Sequence, residues 1–239
     1  MPRLSRQDSP LVVWHANVNG LRGRVEEVRA AAASAFAVSI QDTRIRRSET
    51  AAEVWRRGWP EYRVYQFLHD DNGCGCALLV RASLQQREVL RVTRNRHRLL
   101  GVEVTLPGGR RLTLSSLYAP PSNHGLAFDT ELLWRALEPT CAVVVGDLNA
   151  RSEELGCRSS NVHGGALLNF LESSGAVVLN DPGRPTFAHT AYNTADCLDW
   201  ALSTVSAAGV FSCSVGEDFQ LSVTTPSYCS SIRILIHVI

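Results

Sequence analysis

The sequence predicts a single α/β domain in which two mixed β-sheets pack against each other and are covered by helices. Apolar runs alternate with amphipathic stretches along all 239 residues, without a repeat or a linker. Five consecutive strands are predicted between residues 62 and 118, which a strict alternation of strands and helices does not allow. Hydrophobic residues make up 45% of the chain and charged residues 20%, which excludes a disordered or collagen-like protein.

Local patterns justify each element. The predicted strands cover residues 11–16, 36–41, 62–67, 76–81, 86–92, 99–106, 111–118, 141–147, 176–179, 197–203 and 210–215. The predicted helices cover residues 25–35, 48–59, 126–137 and 166–175. The first helix is rich in alanine with acidic residues in its first turn, and the last stops at Gly175. Residues 107–109, Pro-Gly-Gly, form a hairpin turn.

Charge and cysteine usage narrow the function classes. The formal charge is +1 and every one of the 24 basic residues is arginine, a bias that GC-rich coding also explains. Near-neutral charge excludes binding of nucleic acid by bulk electrostatics alone, so an acidic polymer must be held by locally placed arginines. No apolar run reaches the ~18–20 residues that a membrane span needs, so we expect no association with a membrane. The N-terminus lacks the apolar core of a signal peptide, so we expect an intracellular protein. The seven scattered cysteines indicate buried thiols, not zinc ligands or disulfides.

Polar side chains follow several of the predicted strands at their carboxyl ends. They are Asn17, Asp42, Tyr118, Asp147 and Asn149, and Asp199 lies inside an otherwise apolar strand. A single such carboxylate is usually a turn residue, but this many strand ends together indicate a site. Carboxylate and amide oxygens suit Mg²⁺ or Mn²⁺, and phosphoryl chemistry is the natural partner of such an ion.

Six sequence blocks carry a family resemblance. They are NVNGL (17–21), IQDTR (40–44), LYAPPS (117–122), VVVGDLNAR (143–151), PTF (185–187) and CLDWALS (197–203). In this order and spacing they resemble the endonuclease–exonuclease–phosphatase superfamily, most strongly the endonuclease domain of non-LTR retrotransposons, which is related to apurinic endonucleases. The resemblance covers residues 11–222. It implies a four-layer α/β/β/α sandwich of two mixed sheets, the DNase I-like fold.

The resemblance also implies roles. Asn17 and Asp42 match the metal-holding positions, where the family usually has Glu at the second. Tyr118 matches the tyrosine that contacts the scissile phosphate, and Asp147 matches the residue that orients or deprotonates the attacking water. Asn149 matches the residue that supports both the phosphate and that aspartate.

Two further matches concern Asp199 and Thr186. Asp199 matches the aspartate that buttresses a histidine near the C-terminus, and Thr186 matches a residue beside the DNA groove. The arginines that directly follow the metal and phosphate blocks suit DNA phosphates. They are Arg22, Arg44, Arg46 and Arg151. A second group of arginines, at residues 87, 91, 94, 96 and 98, fits a solvated strand face better than a DNA contact.

The family's Ser-Asp-His triplet is missing. After residue 222, where it should occur, the chain reads VTTPSYCS, and we treat residues 223–239 as an aberrant tail that replaces the triplet and the last strand. Deleting one base from codons for Ser-Ser-Asp-His-Ser-Leu-Leu-Leu-Phe reproduces residues 222–229, which suggests a frameshift. We then expect Asp199 to lack its histidine partner, and we expect the altered last strand to disrupt the edge of a core sheet.

These expectations predict a metal-dependent DNA endonuclease that nicks target sites for retrotransposition, impaired by the loss of the Asp-His pair. Two alternatives stay open: an apurinic-site repair endonuclease, and a non-catalytic remnant that at most binds DNA. The predicted partners are Mg²⁺ or Mn²⁺ and double-stranded DNA. We expect a monomeric, nuclear domain that was once part of a longer polyprotein with a reverse transcriptase.

Overall fold

The structure is a computed structural model, and the elements it defines run from residue 11 to residue 236. The described residues are 10–46, 49–70, 74–122, 128–181, 183–189, 194–209, 211–216, 227–229 and 231–236. The strands are β1 (Leu11–Asn17), β2 (Ala35–Gln41), β3 (Tyr62–Phe67), β4 (Cys76–Arg81), β5 (Gln86–Arg94), β6 (His97–Thr105), β7 (Arg111–Tyr118), β8 (Ala142–Asp147), β9 (Val177–Val178), β10 (Phe187–His189), β11 (Thr194–Asp196), β12 (Asp199–Ser203), β13 (Phe211–Gly216), β14 (Ser227–Cys229) and β15 (Ser231–Ile236). The helices are α1 (Val25–Ala31), α2 (Glu49–Gly58), α3 (Glu131–Ala136), α4 (Val162–Ser174) and α5 (Val205–Ala208).

Two six-stranded mixed sheets form the centre of the molecule. The first has the strand order β13-β15-β1-β2-β4-β3, and the second has the order β5-β6-β7-β8-β12-β9. In each sheet one pair of neighbours is parallel, β1 with β2 and β7 with β8, and the other pairs are antiparallel. Strands β11, β10 and β14 form a small third sheet, separate from the two large sheets in its strand pairing.

The core is divided into three apolar clusters, which define four layers. One cluster lies between the sheets and combines side chains such as Phe36 and Leu78 of the first sheet with Val102 and Leu114 of the second. A second cluster joins the outer face of the first sheet to α1 and α2, and a third joins the outer face of the second sheet to α3 and α4. The predicted α/β/β/α sandwich is therefore confirmed.

Helix α4 begins earlier than the sequence pattern predicts. Its first turn contains Gly164 and Gly165, which are poor helix formers, yet the helix begins at Val162 because the Asn161 side chain accepts a hydrogen bond from the amide of Gly164. Gly164 is needed there, since a Cβ at this position would meet the Arg151 carbonyl oxygen at 1.6 Å. Close packing on the preceding loop explains the glycine.

The C-terminal tail is part of the first sheet. Strand β15, which lies within the 223–239 tail, is inserted between β1 and β13 and pairs antiparallel with both. Ile232, Ile234 and Ile236 are completely buried in the cluster between the sheets. The expected damage to a sheet edge is therefore not found, because the tail has the period-2 alternation that a strand with one buried face needs. Residues 223–226 and His237 lie outside the described residues.

No helix within the described ranges is long and apolar enough to cross a membrane.

Candidate active site

The predicted site residues come together at one edge of the two sheets. Asn17 and Asp42 end the neighbouring strands β1 and β2 of the first sheet. In the second sheet Asp147 lies directly opposite Asp199, and the amide after Tyr118 donates a hydrogen bond to the Asp147 carbonyl oxygen at 2.9 Å. The parallel pairs β1–β2 and β7–β8 bring carboxyl ends together, and the antiparallel β12 adds its amino end.

Asp147 is the centre of this edge. Its Oδ2 accepts a hydrogen bond from Asn17 Nδ2 at 2.8 Å, which joins the two sheets, and its Oδ1 accepts from the Asn149 amide at 3.1 Å. Burial raises the pKa of Asp147 well above its usual range, and the nearby negative charge of Asp199 raises it further. The arrangement holds a carboxyl group in one orientation and gives it a strong affinity for a proton or a cation.

A close approach of strands explains the glycine of the GDLN block. A Cβ on Gly146 would lie 1.7 Å from the backbone carbonyl oxygen of Leu117 on the parallel neighbour β7. Any larger residue would push β8 away from β7 and move Asp147 relative to Tyr118. The glycine therefore sets the spacing between two of the predicted catalytic residues.

The loops that follow the strands have left-handed backbone conformations at non-glycine residues. The φ angle is 47° at Asn19, 50° at Asp42, 52° at Arg44 and 48° at Asn149. Such conformations each cost of order 1 kcal/mol or more unless the surroundings enforce them. The Asn149 side chain is fixed by donating to the Ala119 carbonyl at 2.9 Å. Strain is thus concentrated at this edge, as is common where side chains must be held for function.

Tyr118 and Cys74 lie side by side at the site. The Tyr118 hydroxyl donates to Cys74 Sγ at 3.6 Å, and burial raises the pKa of Tyr118, with the neighbouring thiol adding to the shift. The phenol therefore stays protonated and available as a hydrogen-bond donor. Cys74 also contacts the Asp42 carboxylate, and burial followed by that charge raises the pKa of Cys74.

Sequence reasoning missed Cys74. It precedes β4, and only the antiparallel pairing of β2 with β4 brings it next to the end of β2. The amide after Asp42 donates to the carbonyl of the neighbouring Gly75 at 2.8 Å, which fixes that approach. Nothing in the local pattern around Cys74 indicates such a place.

Asp199 has a histidine partner after all, which corrects the sequence analysis. His15 Nε2 lies 3.0 Å from Asp199 Oδ1, and both side chains are almost completely buried. The other ring nitrogen, Nδ1, lies 2.9 Å from Ser39 Oγ. The partner comes from β1 and not from the C-terminus, because alternation along β1 turns residues 13, 15 and 17 to the same face, toward the second sheet. A polar residue inside an apolar strand, two positions before Asn17, is the signal that was overlooked.

A buried polar strip continues from this pair between the sheets. Ser39 Oγ and Gln41 Nε2 each lie 2.8 Å from Ser116 Oγ, so both sheets contribute. The side-chain oxygen Oε1 of Gln41 is buried without a hydrogen-bond partner among the described residues. Buried polar groups of this kind are normally satisfied, so this end of the sheet interface is specialised for something other than packing.

Thr186, which the resemblance places beside the DNA groove, is held inside the fold. It is completely buried, and its hydroxyl accepts hydrogen bonds from the amides of Leu198 and Asp199, both at 3.0 Å. The residue therefore orients the start of β12, which carries Asp199, and has no surface to offer a ligand.

Two of the four predicted rim arginines, Arg44 and Arg151, lie next to candidate site residues. Arg44 is exposed and its guanidinium contacts both Asp42, at 3.1 Å, and Asn19. Arg151 lies 3.7 Å from Asp196 and helps to line a cavity of about 540 Å³ next to Asn149. Arg22 and Arg46 are exposed.

The donor set fits a hard divalent cation bound largely by water. Asn17 and Asp42 present amide and carboxylate oxygens at adjacent strand ends, and Asp147 lies across the sheet interface. In the part of the chain that is described, no group of three or more His, Cys, Asp or Glu side chains is arranged to hold a metal. Mg²⁺ usually keeps several waters and takes only one or two carboxylates, so this sparse set suits it better than a closed cage would.

Comparisons with known proteins agree with this arrangement. The sequence profile of the family described as endonuclease-reverse transcriptase matches residues 112–226. The endonuclease domain of TRAS1, a telomere-specific non-LTR retrotransposon, has a similar structure with a TM-score of 0.71 and 22% identity, over 95% of this chain and 98% of that one.

The resemblance to the endonuclease–exonuclease–phosphatase superfamily is confirmed.

Two more proteins are similar to this chain, one in structure and one in sequence. The apurinic endonuclease LMAP from Leishmania major has a TM-score of 0.71 and 14% identity, over 100% of this chain and 92% of that one. A probable RNA-directed DNA polymerase from transposon BS of Drosophila melanogaster is 25% identical over 195 residues, which is 80% of this chain. The chain spans only 21% of the length of that transposon protein.

Proposed function

We propose that this chain is a divalent-metal-dependent DNA endonuclease domain that nicks one strand of a duplex target to start retrotransposition. One observation carries the proposal: the hydrogen bond from Asn17 Nδ2 to Asp147 Oδ2, at 2.8 Å, joins the two sheets where Tyr118 and Asp42 also end. Hydrolysis of a phosphodiester needs a cation and an oriented carboxylate within one small space, and this edge has the oxygen ligands that would hold the cation beside the oriented Asp147 carboxylate.

Asn17 and Asp42 are the residues that would hold the ion. When bound there, Mg²⁺ or Mn²⁺ would neutralise charge that develops on the phosphate. The Arg44 guanidinium forms an ion pair with the Asp42 carboxylate. This ion pair would have to break before Asp42 could bind a cation. Because Arg44 is exposed, the freed guanidinium would be available to contact a phosphate of the DNA.

Asp147, Asn149 and Tyr118 act on the substrate. The raised pKa of Asp147, caused by burial and by Asp199, makes this carboxylate a good acceptor for a proton of the attacking water. Tyr118 donates its hydroxyl hydrogen to a phosphate oxygen, because its raised pKa keeps it protonated. The amide of Asn149 keeps Asp147 aligned, at 3.1 Å from Oδ1.

His15 does not replace the missing C-terminal histidine in contact with substrate. It is completely buried between the sheets, so it fixes Asp199 but cannot reach a phosphate. Loss of one acid–base group typically costs ~10²–10⁴ in rate. We therefore infer slow nicking compared with a relative that retains the Ser-Asp-His triplet.

The similarity to a transposon polymerase, of which this chain spans about a fifth, supports a domain of a longer protein that carries a reverse transcriptase. The target would then be chromosomal DNA, which requires a nuclear location. The domain would act as a monomer, because both sheets contribute to the site within one chain.

A supercoiled-plasmid assay tests the proposal. We expect conversion to open circles in Mg²⁺ or Mn²⁺ at about 5–10 mM, and none in EDTA, because the proposed hydrolysis needs the cation. Asp147→Asn should abolish it, whereas the exposed Asp181→Asn should not. Relaxation that continues in EDTA, or that survives Asp147→Asn, would show that this edge is not the active site.

Two other functions are distinguished by the same samples. The absence of the triplet favours a non-catalytic DNA-binding domain, for which duplex would be bound but never cut. An apurinic-site repair enzyme, like the apurinic endonuclease from Leishmania major, would cut an oligonucleotide with one abasic site far faster than the matched intact duplex.

A further inference from the structure

The β5–β6 hairpin ends at the edge that carries the candidate active site. Arg98 on β6 pairs with Tyr118 on β7, and the hairpin continues beyond this pair to Arg94 and His97 and the turn between them. Two residues past Arg98, at ~3.3 Å per residue, the turn projects ~7 Å beyond the Tyr118 position. One strand, β6, separates β5 from β7, so the turn that joins β5 to β6 lies about 5–10 Å to one side of β7.

Four of the five arginines in this hairpin already have acidic partners. Arg87 pairs with Glu103, Arg91 with Glu88, Arg94 with Asp129 and Arg98 with Asp70. The sequence expectation of a solvated strand face describes Arg87, Arg91 and Arg94, which are exposed, but it is wrong for Arg98, whose side chain is buried.

Arg96 differs from the other four. It is exposed at the turn, and no ion pair involves it within the described part of the chain. The turn thus presents one uncompensated positive charge beside the candidate active site.

The backbone of the turn is unusual for an arginine. The φ angles of Asn95 and Arg96 are 46° and 64°, both in the left-handed region of a two-residue type I′ hairpin turn. Glycine is the favoured residue at the second of these positions, so an arginine is held there against its own preference.

The turn is also held rigidly. His97 Nδ1 lies 3.0 Å from the Asn95 carbonyl oxygen, and the Asp129 amide donates to Nε2 of the same ring at 3.5 Å. Burial lowers the pKa of His97, so the ring stays neutral with Nδ1 as the donor. The His97 ring packs 5.9 Å from Phe128 and 6.3 Å from His163. A turn whose backbone is already fixed loses less freedom on binding than a mobile loop does.

We propose that Arg96 is a DNA-backbone contact that grips the duplex to one side of the nicked phosphate. The inference rests on the proposed function. Phosphates of one strand follow each other at about 3.4 Å along the helix axis, so a lateral offset of about 5–10 Å corresponds to about two or three nucleotides from the scissile phosphate. An exposed, always-charged fork at that distance suits a phosphate and carries no base specificity.

The experiment measures the salt dependence of duplex binding. Wild type, Arg96→Gln, Arg96→Gly and Arg110→Gln are titrated by fluorescence anisotropy with a 25-base-pair duplex, about the length that covers such a site, in EDTA at 50–200 mM NaCl. Arg110→Gln is the matched control, since Arg110 is exposed at the opposite end of the same sheet. Both Arg96 variants should have a slope of log K against log salt shallower by about 0.9, the value for one phosphate. The wild type should then lose about 3.5-fold more affinity over this range than they do.

The glycine variant separates binding from folding. Glycine adopts a φ of 64° freely, so Arg96→Gly should melt at the same temperature as the wild type or higher while binding more weakly. If the wild type binds the duplex with a clear salt slope and the Arg96 variants have the same slope as Arg110→Gln, this inference is overturned and the proposed function stays intact. A wild type that does not bind duplex at all would overturn both.

Discussion

Asp147→Asn should remove the proposed activity and at the same time stabilise the fold. Asp147 and Asp199 are directly opposite on antiparallel strands, where Cβ atoms are about 5 Å apart. Two carboxylates about 5.5 Å apart repel by about 3 kcal/mol at an effective dielectric constant of 20. The amide introduced at this position would face the donor Asn17 Nδ2 with a donor of its own, so the hydrogen bond between the sheets would be lost at a cost of about 1 kcal/mol. The net gain is about 2 kcal/mol, or about 4–8 °C in melting temperature for a domain of this size.

The sign of the pH dependence follows from the raised pKa of Asp147. As the pH rises through the usual range of an aspartate, the unfolded chain gives up this proton while the native state keeps it. The wild type therefore loses stability as the pH rises from about 4 to the pKa that Asp147 has in the native state. Asp147→Asn has no carboxyl group at this position and does not show this loss.

Thermal unfolding followed by circular dichroism in EDTA, at pH 4 and pH 7.5, measures the difference. We expect the advantage of Asp147→Asn to be small at the acidic pH and largest at the neutral pH. The exposed Asp181→Asn is the charge-matched control and should change little at either. A variant less stable than the wild type at pH 7.5, or an advantage independent of pH, would refute the reasoning from the Asp147–Asp199 pair.

Three further predictions concern packing and the metal. Gly164→Ala should lower the free energy of unfolding by about 3 kcal/mol or more, because the new Cβ would meet a backbone carbonyl oxygen at 1.6 Å. Gly165→Ala has open space around the new Cβ and should raise the free energy of unfolding by up to about 1 kcal/mol. Urea unfolding measures both changes. Ile234→Ala should cost about 2–5 kcal/mol if the tail is a core strand, and a cost near zero would show that β15 does not form. Mg²⁺ at ten times its Kd should stabilise the wild type by about 1.4 kcal/mol, and Asp42→Asn should lose most of that shift in melting temperature; an equal shift would place the ion elsewhere.

Strong periodic patterns allowed most of the central strands to be predicted from sequence. Strands β3, β4 and β7 have the predicted boundaries because each is an apolar or alternating run between clear turn residues. Helix boundaries were less certain, since α1 ends at Ala31 although the alanine-rich run continues. Alanine favours a helix but contributes little burial, so tertiary contacts decide where such a helix ends.

The candidate site was predicted in part, for a similar reason. Asn17, Asp42, Tyr118 and Asp147 are signalled by their position after apolar strands, which is local information. The partner of Asp199 was not predictable, because it depends on which residue of the facing sheet meets β12. The burial of Thr186 was not predictable, because a hydroxyl that caps backbone amides and one that faces solvent look alike in a sequence.

The sequence by itself determined the class of fold, the strand ends that carry oxygen ligands and the family resemblance, since each depends on residues that are near neighbours in the chain. Only the tertiary structure decided that His15 pairs with Asp199, that Cys74 lies beside Tyr118, that the tail completes the first sheet and that Arg96 lies at the rim of the site. These four facts depend on strand order and register between segments distant in sequence, and period-2 patterns fix which face of a strand is buried but not which strand lies next to it.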